Sequence, residues 1–223
     1  MQQPDPMPLP PTGSDAPALG GVHAIQRTGY EPALRLEQSI PALLRGLEHP
    51  RPGPRLRAVD LLVRCGVTAL PGLIDLLRSG PLSVRPLACV ALGRIGDQAA
   101  VPILAAALHG PDPTTCIAAA AALGEIGDPS CVTYLLPLVR QAADEKLCAA
   151  ACDALGALGD PRALPELLDA LDAGDRFVRA AAAQALGRIG HPGAIPGLRR
   201  AFRDPHWMVS EAAYEALHHI RSM

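Results

Sequence analysis

Ala185-Leu186-Gly187-Arg188-Ile189-Gly190-His191-Pro192 is the stretch whose recurrence decides the fold. Near copies read ALGRIGD from Ala91 to Asp97, ALGEIGDP from Ala122 to Pro129 and ALGALGDP from Ala154 to Pro161. Their second glycines, Gly96, Gly127, Gly159 and Gly190, stand 31, 32 and 31 residues apart, and a weaker copy ends at Gly66, 30 residues before Gly96. A fixed period of this size marks a stacked-repeat architecture, in which each unit buries its apolar face only against its neighbours.

Each unit reads as two antiparallel helices. Helix A ends on the repeated stretch. In the unit that opens at Asp175, that carboxylate is a candidate N-cap. Val178, Ala181, Ala182, Ala185, Leu186 and Ile189 then follow at helical spacing as one apolar face. Gly190 supplies the left-handed stop. Gly187 lets a neighbouring helix come close, as Gly93, Gly124 and Gly156 do in their units. Helix B opens with an aliphatic residue and proline at Ile40-Pro41, Leu70-Pro71, Val101-Pro102, Leu164-Pro165 and Ile195-Pro196, while one unit has Val132-Thr133 instead. Proline at the first helical position sacrifices no hydrogen bond. Two columns complete the B helices: Leu43, Leu73, Leu104, Leu135, Leu167 and Leu198, then Leu47, Leu77, Leu108, Val139, Leu171 and Phe202.

The units run at roughly 31–50, with a degenerate helix A, then 54–79, 82–110, 113–142, 144–173 and 175–203. A last helix at about 207–221 has no B partner. Its Trp207, Glu211, His218, His219 and Arg221 predict a cap with a polar outer face. Residues 1–29 carry six prolines and no apolar periodicity, so they are expected to be a disordered tail ahead of a repeat domain at 30–223. The expected class is all-α: an α-solenoid of about six helix pairs with a C-terminal capping helix.

Composition narrows the function. The chain is 49% hydrophobic but only 3% aromatic, with a net charge of −2. No global basic field invites nucleic acid. No apolar run reaches the ~18 residues of a membrane span, and no secretory signal stands at the N-terminus. A cytoplasmic protein is expected. Cys65, Cys89, Cys116, Cys131, Cys148 and Cys152 form no C-x-x-C pair and occupy positions where other repeats carry small aliphatics. They read as buried hydrophobes of a reducing compartment, with no metal site. The histidines make no catalytic constellation with cysteine or carboxylate.

The pattern A-L-G-x-[IL]-G-D-P, followed by an aliphatic-proline pair and with Val-Arg opening helix A at Val84-Arg85 and Val178-Arg179, resembles the short HEAT-like repeat of the phycobilisome-lyase subtype over about residues 40–221. The resemblance implies a right-handed superhelix with B helices along its concave side. It further implies similarity to E/F-type bilin lyases and phycobilisome-degradation proteins. Deoxyhypusine hydroxylase, a HEAT-like enzyme with His-Glu iron ligands, is excluded because no His-Glu dipeptide exists here. The DNA glycosylases of HEAT-like fold need a cationic, aromatic groove, which this chain lacks.

Between the leucine columns, two variable columns are expected to face the groove. One is Ala42, Gly72, Ile103, Tyr134, Glu166 and Gly197; the other is Arg45, Asp75, Ala106, Pro137, Asp169 and Arg200. The middle (Ile103, Ala106, Tyr134, Pro137) is apolar. The ends (Arg45, Asp75, Asp169, Arg199, Arg200) are charged. Such a surface suits a protein partner or a flat amphipathic ligand. What the resemblance implies is a phycobiliprotein-interacting protein: a bilin lyase or lyase subunit, a chromophore chaperone, or a degradation factor. As an enzyme it would act on phycobiliprotein cysteines. It would have no intrinsic cofactor, a transient linear tetrapyrrole, and phycobiliprotein subunits or a second HEAT-like subunit as partners. The alternative is a non-enzymatic adaptor that binds another protein through the same groove. The Asp175–Arg179 pair is expected to be stabilising.

Overall fold

The computed structural model describes residues 39–141 and 144–222. The predicted tail at 1–29 and the degenerate first helix A lie outside them. Helices follow one another as α1 (Ile40–Gly46), α2 (Pro52–Cys65), α3 (Leu70–Ser79), α4 (Arg85–Ile95), α5 (Val101–Ala107) and α6 (Pro113–Ile126). The second half continues with α7 (Val132–Gln141), α8 (Glu145–Leu158), α9 (Leu164–Ala173), α10 (Arg176–Ile189), α11 (Ile195–Ala201) and α12 (Trp207–Ser222). The A helices are α2, α4, α6, α8, α10 and α12. The B helices are α1, α3, α5, α7, α9 and α11. The chain is an all-α solenoid.

The A layer is held by small residues. A Cβ added to Gly156 would stand 2.7 Å from Ala185 Cα, and one on Gly124 would stand 2.8 Å from Ala154 Cα. Each such glycine therefore seats the backbone of the next A helix directly on its own. The B layer is held by the predicted leucines: Leu73, Leu104, Leu135, Leu167 and Leu198 are all fully buried. Its second column holds as far as Leu171. Phe202 departs from it, with 51% of its surface exposed, because among the described residues no B helix follows α11 to cover it.

Each A helix from α4 to α10 ends on a glycine with φ between +66° and +74°, the left-handed region that L side chains avoid. Short 3-10 turns then carry the chain into helix B. In three of them an aspartate accepts a backbone N–H two residues on: Asp97 from Ala99, Asp128 from Ser130 and Asp160 from Arg162, each at 2.8 Å. His191 breaks the sequence pattern but keeps the bond, its Nδ1 accepting from the Gly193 N–H at 3.0 Å. An imidazole nitrogen thus takes the place of a carboxylate oxygen in the same turn.

Two expectations change. Asp175 caps α10 by accepting from the Phe177 N–H at 2.9 Å, but Arg179 does not pair with it. The guanidinium instead grips Asp204 through Nε at 2.8 Å and Nη2 at 2.9 Å, and donates to the Gly174 carbonyl at 2.9 Å. The fork ties the start of one unit to the loop before the last helix. The cap also differs from its prediction. The face of α12 that packs on α10 is Val209, Ala212, Ala213 and Ala216, all buried. The outer face carries Trp207 and Tyr214, 68% and 53% exposed, so it is aromatic as well as polar.

Candidate functional site

Most of the two variable columns is accessible on the B helices, but Gly197 is buried and Gly72 and Glu166 are half-buried. Arg45, Asp75, Ala106, Pro137, Asp169, Arg199 and Arg200 are exposed. Ile103 is half-buried, and Tyr134 keeps 43% of its surface exposed. The middle of this face is an accessible apolar strip, in which the Tyr134 hydroxyl hydrogen-bonds to no other described residue. Pro137 adds a polar element to the same place. It sits inside α7 and has no N–H to give to the Thr133 carbonyl one turn earlier. That acceptor, beside Tyr134, lacks its usual helical donor.

Two of the hollows between successive units border this face. One, of about 220 Å³, lies beside Ile103 and Ala106 and is walled by Leu77, Arg78, Arg85 and Asp112. The other, of about 400 Å³, lies between α7 and α9, where Arg140, Glu166, Asp169 and Cys148 meet. Arg140 bridges Glu166 at 3.0 Å and Asp169 at 3.8 Å. Arg200 pairs with Asp172 at 2.7 Å. The charged end of the predicted groove is thus already cross-linked by pairs whose partners, Arg140 and Asp172, lay outside the predicted columns. Arg45 and Arg199 make no ion pair among the described residues. The columns place Ile103 with Ala106, and Tyr134 with Pro137, as i,i+3 neighbours on single helices. Arg45 and Arg200 lie on the first and last B helices.

Burial, with a contribution from Cys116, pushes the Cys89 thiol up to about 12. The Cys148 thiol and burial push Cys152 up, and Cys148 donates to the Val139 carbonyl at 3.3 Å. Cys89 and Cys152 are thereby held protonated, the wrong state for a nucleophile or metal ligand, while the hydrogen bond with Cys152 lowers Cys148. Among the described residues no three His, Cys, Asp or Glu side chains gather as a metal site. No helix is long and apolar enough to cross a membrane.

The profile of HEAT repeats matches residues 40–116, 70–145, 104–187 and 132–218, in overlapping pairs of units that together take in most of the chain. The chain belongs to the HEAT-repeat family. Within that family, the HEAT protein is 40% identical over 65 residues to the phycocyanobilin lyase subunit beta of Pseudanabaena tenuis (strain PCC 7409). That match takes in 29% of this chain and 23% of the lyase subunit, so it spans about a quarter of that relative's length. Among solved structures, the complex of CpcE and CpcF of phycocyanin lyase from Nostoc sp. PCC7120 is similar with a TM-score of 0.61. It covers 66% of this HEAT protein and 98% of that chain at 23% identity. An engineered protein is similar over 84% of this chain and 97% of its own, with a TM-score of 0.59 and 20% identity. These two likenesses are of fold.

Proposed function

We propose that this HEAT protein is a bilin-lyase-type subunit, which holds a phycobiliprotein subunit together with its linear tetrapyrrole along the exposed face of the B helices. The observation that carries the reading is the apolar strip Ile103, Ala106, Tyr134 and Pro137, left accessible in a fold that buries its other aliphatic columns. A linear tetrapyrrole has apolar rings, N–H donors and two propionates. The strip offers surface to the rings, the Thr133 carbonyl an acceptor to the N–H groups, and Arg45 and Arg199, which make no ion pair among the described residues, cations to carboxylates. The local identity to a phycocyanobilin lyase subunit supports the same choice of ligand.

In this reading the nucleophile is the acceptor protein's own cysteine, and the HEAT subunit contributes position. Fixing two reactants in register can supply several kcal/mol of barrier reduction with no catalytic side chain. The buried Cys89 and Cys152 thiols, held protonated, fit that division of labour. A second HEAT-like subunit would complete the surface, as in the two-component lyase complex that this fold is similar to.

The test is spectroscopic. Titrating the protein into phycocyanobilin should red-shift and sharpen the long-wavelength band, and Tyr134→Ala should weaken the effect by about tenfold while leaving the urea midpoint within the small range typical of exposed positions. No spectral change, combined with no retention of phycobiliprotein subunits on immobilised protein, would overturn the proposal. Loss of folding in Tyr134→Ala would mean that the ring is structural.

A further inference from the structure

The last helix departs from its sisters at the positions that carry the array. One column of the A helices reads Cys89, Ala120, Cys152 and Ala183, all fully buried against neighbouring units; the fifth member is Tyr214, 53% exposed. The next reads Gly93, Gly124, Gly156 and Gly187, each seating the backbone of the following A helix; its fifth member is His218. Ring side chains thus replace the small residues that let A helices approach, and a further unit cannot stack there as the others do. The face is still not inert. Trp207 and Tyr214 stand two turns apart on one side of α12, Phe202 lies 6.2 Å from the Tyr214 ring, and the His218 ring meets its edge at 5.7 Å. Every described phenylalanine, tyrosine and tryptophan of the chain is exposed, and this end holds three of them.

The geometry points to a second copy of this chain as the occupant, bound through an antiparallel, two-fold pairing of α12 with its counterpart. The argument is charge order along the stripe. Glu211 lies on the N-terminal side of Tyr214, and His218 and Arg221 on the C-terminal side. Reversing one copy about a point between Tyr214 and Glu215 sets Glu211 opposite His218 in both directions, with the Tyr214 rings at the centre. It brings Trp207 to the Arg221 end of the other helix, where a guanidinium can cover the indole face. Such self-complementarity is what a closed two-fold interface requires, whereas a parallel arrangement would set Glu211 against Glu211. Size sets the strength. Aromatic side chains carry ~150–250 Å² each, and about half of that remains exposed on Phe202, Trp207 and Tyr214. With the rest of a 16-residue helix face, the pair reaches only the low end of stable interfaces, about 1,200 Å². The dimer interface is therefore small and the association concentration-dependent.

Sedimentation velocity of the full chain between about 1 and 200 µM tests it. The expected result is a shift from the 23.2 kDa monomer towards twice that mass. Tyr214→Glu should hold the chain monomeric throughout, with unchanged far-UV circular dichroism. Glu211→Lys alone should weaken association at least tenfold, and Glu211→Lys combined with His218→Glu should restore it, because the swapped charges meet again only in the antiparallel register. A chain that stays monomeric at 200 µM overturns the proposal, and so does a dimer indifferent to Tyr214→Glu. A double swap no better than Glu211→Lys alone overturns the antiparallel register. Removing residues 1–38 should leave the dimer intact; its loss would make that segment, and not α12, the contact.

Discussion

Gly156 has no room for the smallest possible addition. Its missing Cβ would fall 2.7 Å from Ala185 Cα, which is backbone and cannot rotate away. Gly156→Ala must therefore spread α8 from α10 or shift both, and overpacking of this kind costs about 1–3 kcal/mol. A urea denaturation series should show that loss, whereas a glycine-to-alanine change at Gly53, where nothing lies within 4 Å of an added Cβ, should stay within a few tenths. His191 makes a different residue-scale case. The sequence shows an aspartate lost from a repeated signal; the structure shows the acceptor kept. His191→Asp should be close to neutral in stability. His191→Ala should cost about 1 kcal/mol, the usual value of a lost capping acceptor, measured by the same denaturation midpoint.

At the scale of elements, the helices and their order were legible because they depend on local signals repeated many times. Gly190 and its sisters stop helices by backbone geometry alone, and proline after an aliphatic residue starts them. The leucine columns need only the helical period. What was not legible depends on the distance between units. Arg179 has two acidic candidates, Asp175 four residues before it and Asp204 twenty-five after, and helical spacing favours the nearer. The capping bond to Phe177 occupies Asp175, and the solenoid brings Asp204 within reach, so the long guanidinium stem turns to the next loop. Arg140 bridging Glu166 and Asp169 is the same kind of contact between successive B helices. Within the candidate site, exposure of Tyr134 and Ala106 could be read from the columns; the pre-paired charges at its end could not. Arg179→Ala should lower stability by roughly 1–3 kcal/mol, the range for a charge-assisted pair largely shielded from water. Denaturation of Asp204→Asn beside the double variant will isolate the pair.

For the whole molecule, these carboxylates add to a pH dependence with a definite sign. Asp204 is held below the usual carboxylate range by the Arg179 hydrogen bonds, Asp112 by the Thr115 side chain and Asp160 by the Arg162 side chain. The backbone donors at Ser130 and Phe177 hold Asp128 and Asp175 down likewise. A carboxyl whose folded value is depressed stabilises fully above its unfolded value and loses that contribution as pH falls through the folded one. Asp153 works the other way, because burial raises it; its ionised form is disfavoured in the fold, and protonation relieves this. Depressed groups outnumber it. The urea midpoint should thus hold steady between about pH 5 and 8 and fall progressively below pH 4, and Asp204→Asn should flatten the acid slope. Above about pH 9 it should fall again, because the buried Cys89 and Cys152 thiols ionise more readily in the unfolded chain.

The small-residue interior described above also decides how the molecule looks in light. Every described aromatic ring stands at the surface, and the chain has a single tryptophan, Trp207, 68% exposed. Its native emission should already sit near that of free indole in water, so unfolding will barely move it. The near-ultraviolet dichroism of the folded chain should be weak for the same reason. An ordinary fluorescence melt would then report a well-folded array as featureless. A blue shift that appears on concentrating the protein would be the signal of contact at its last helix.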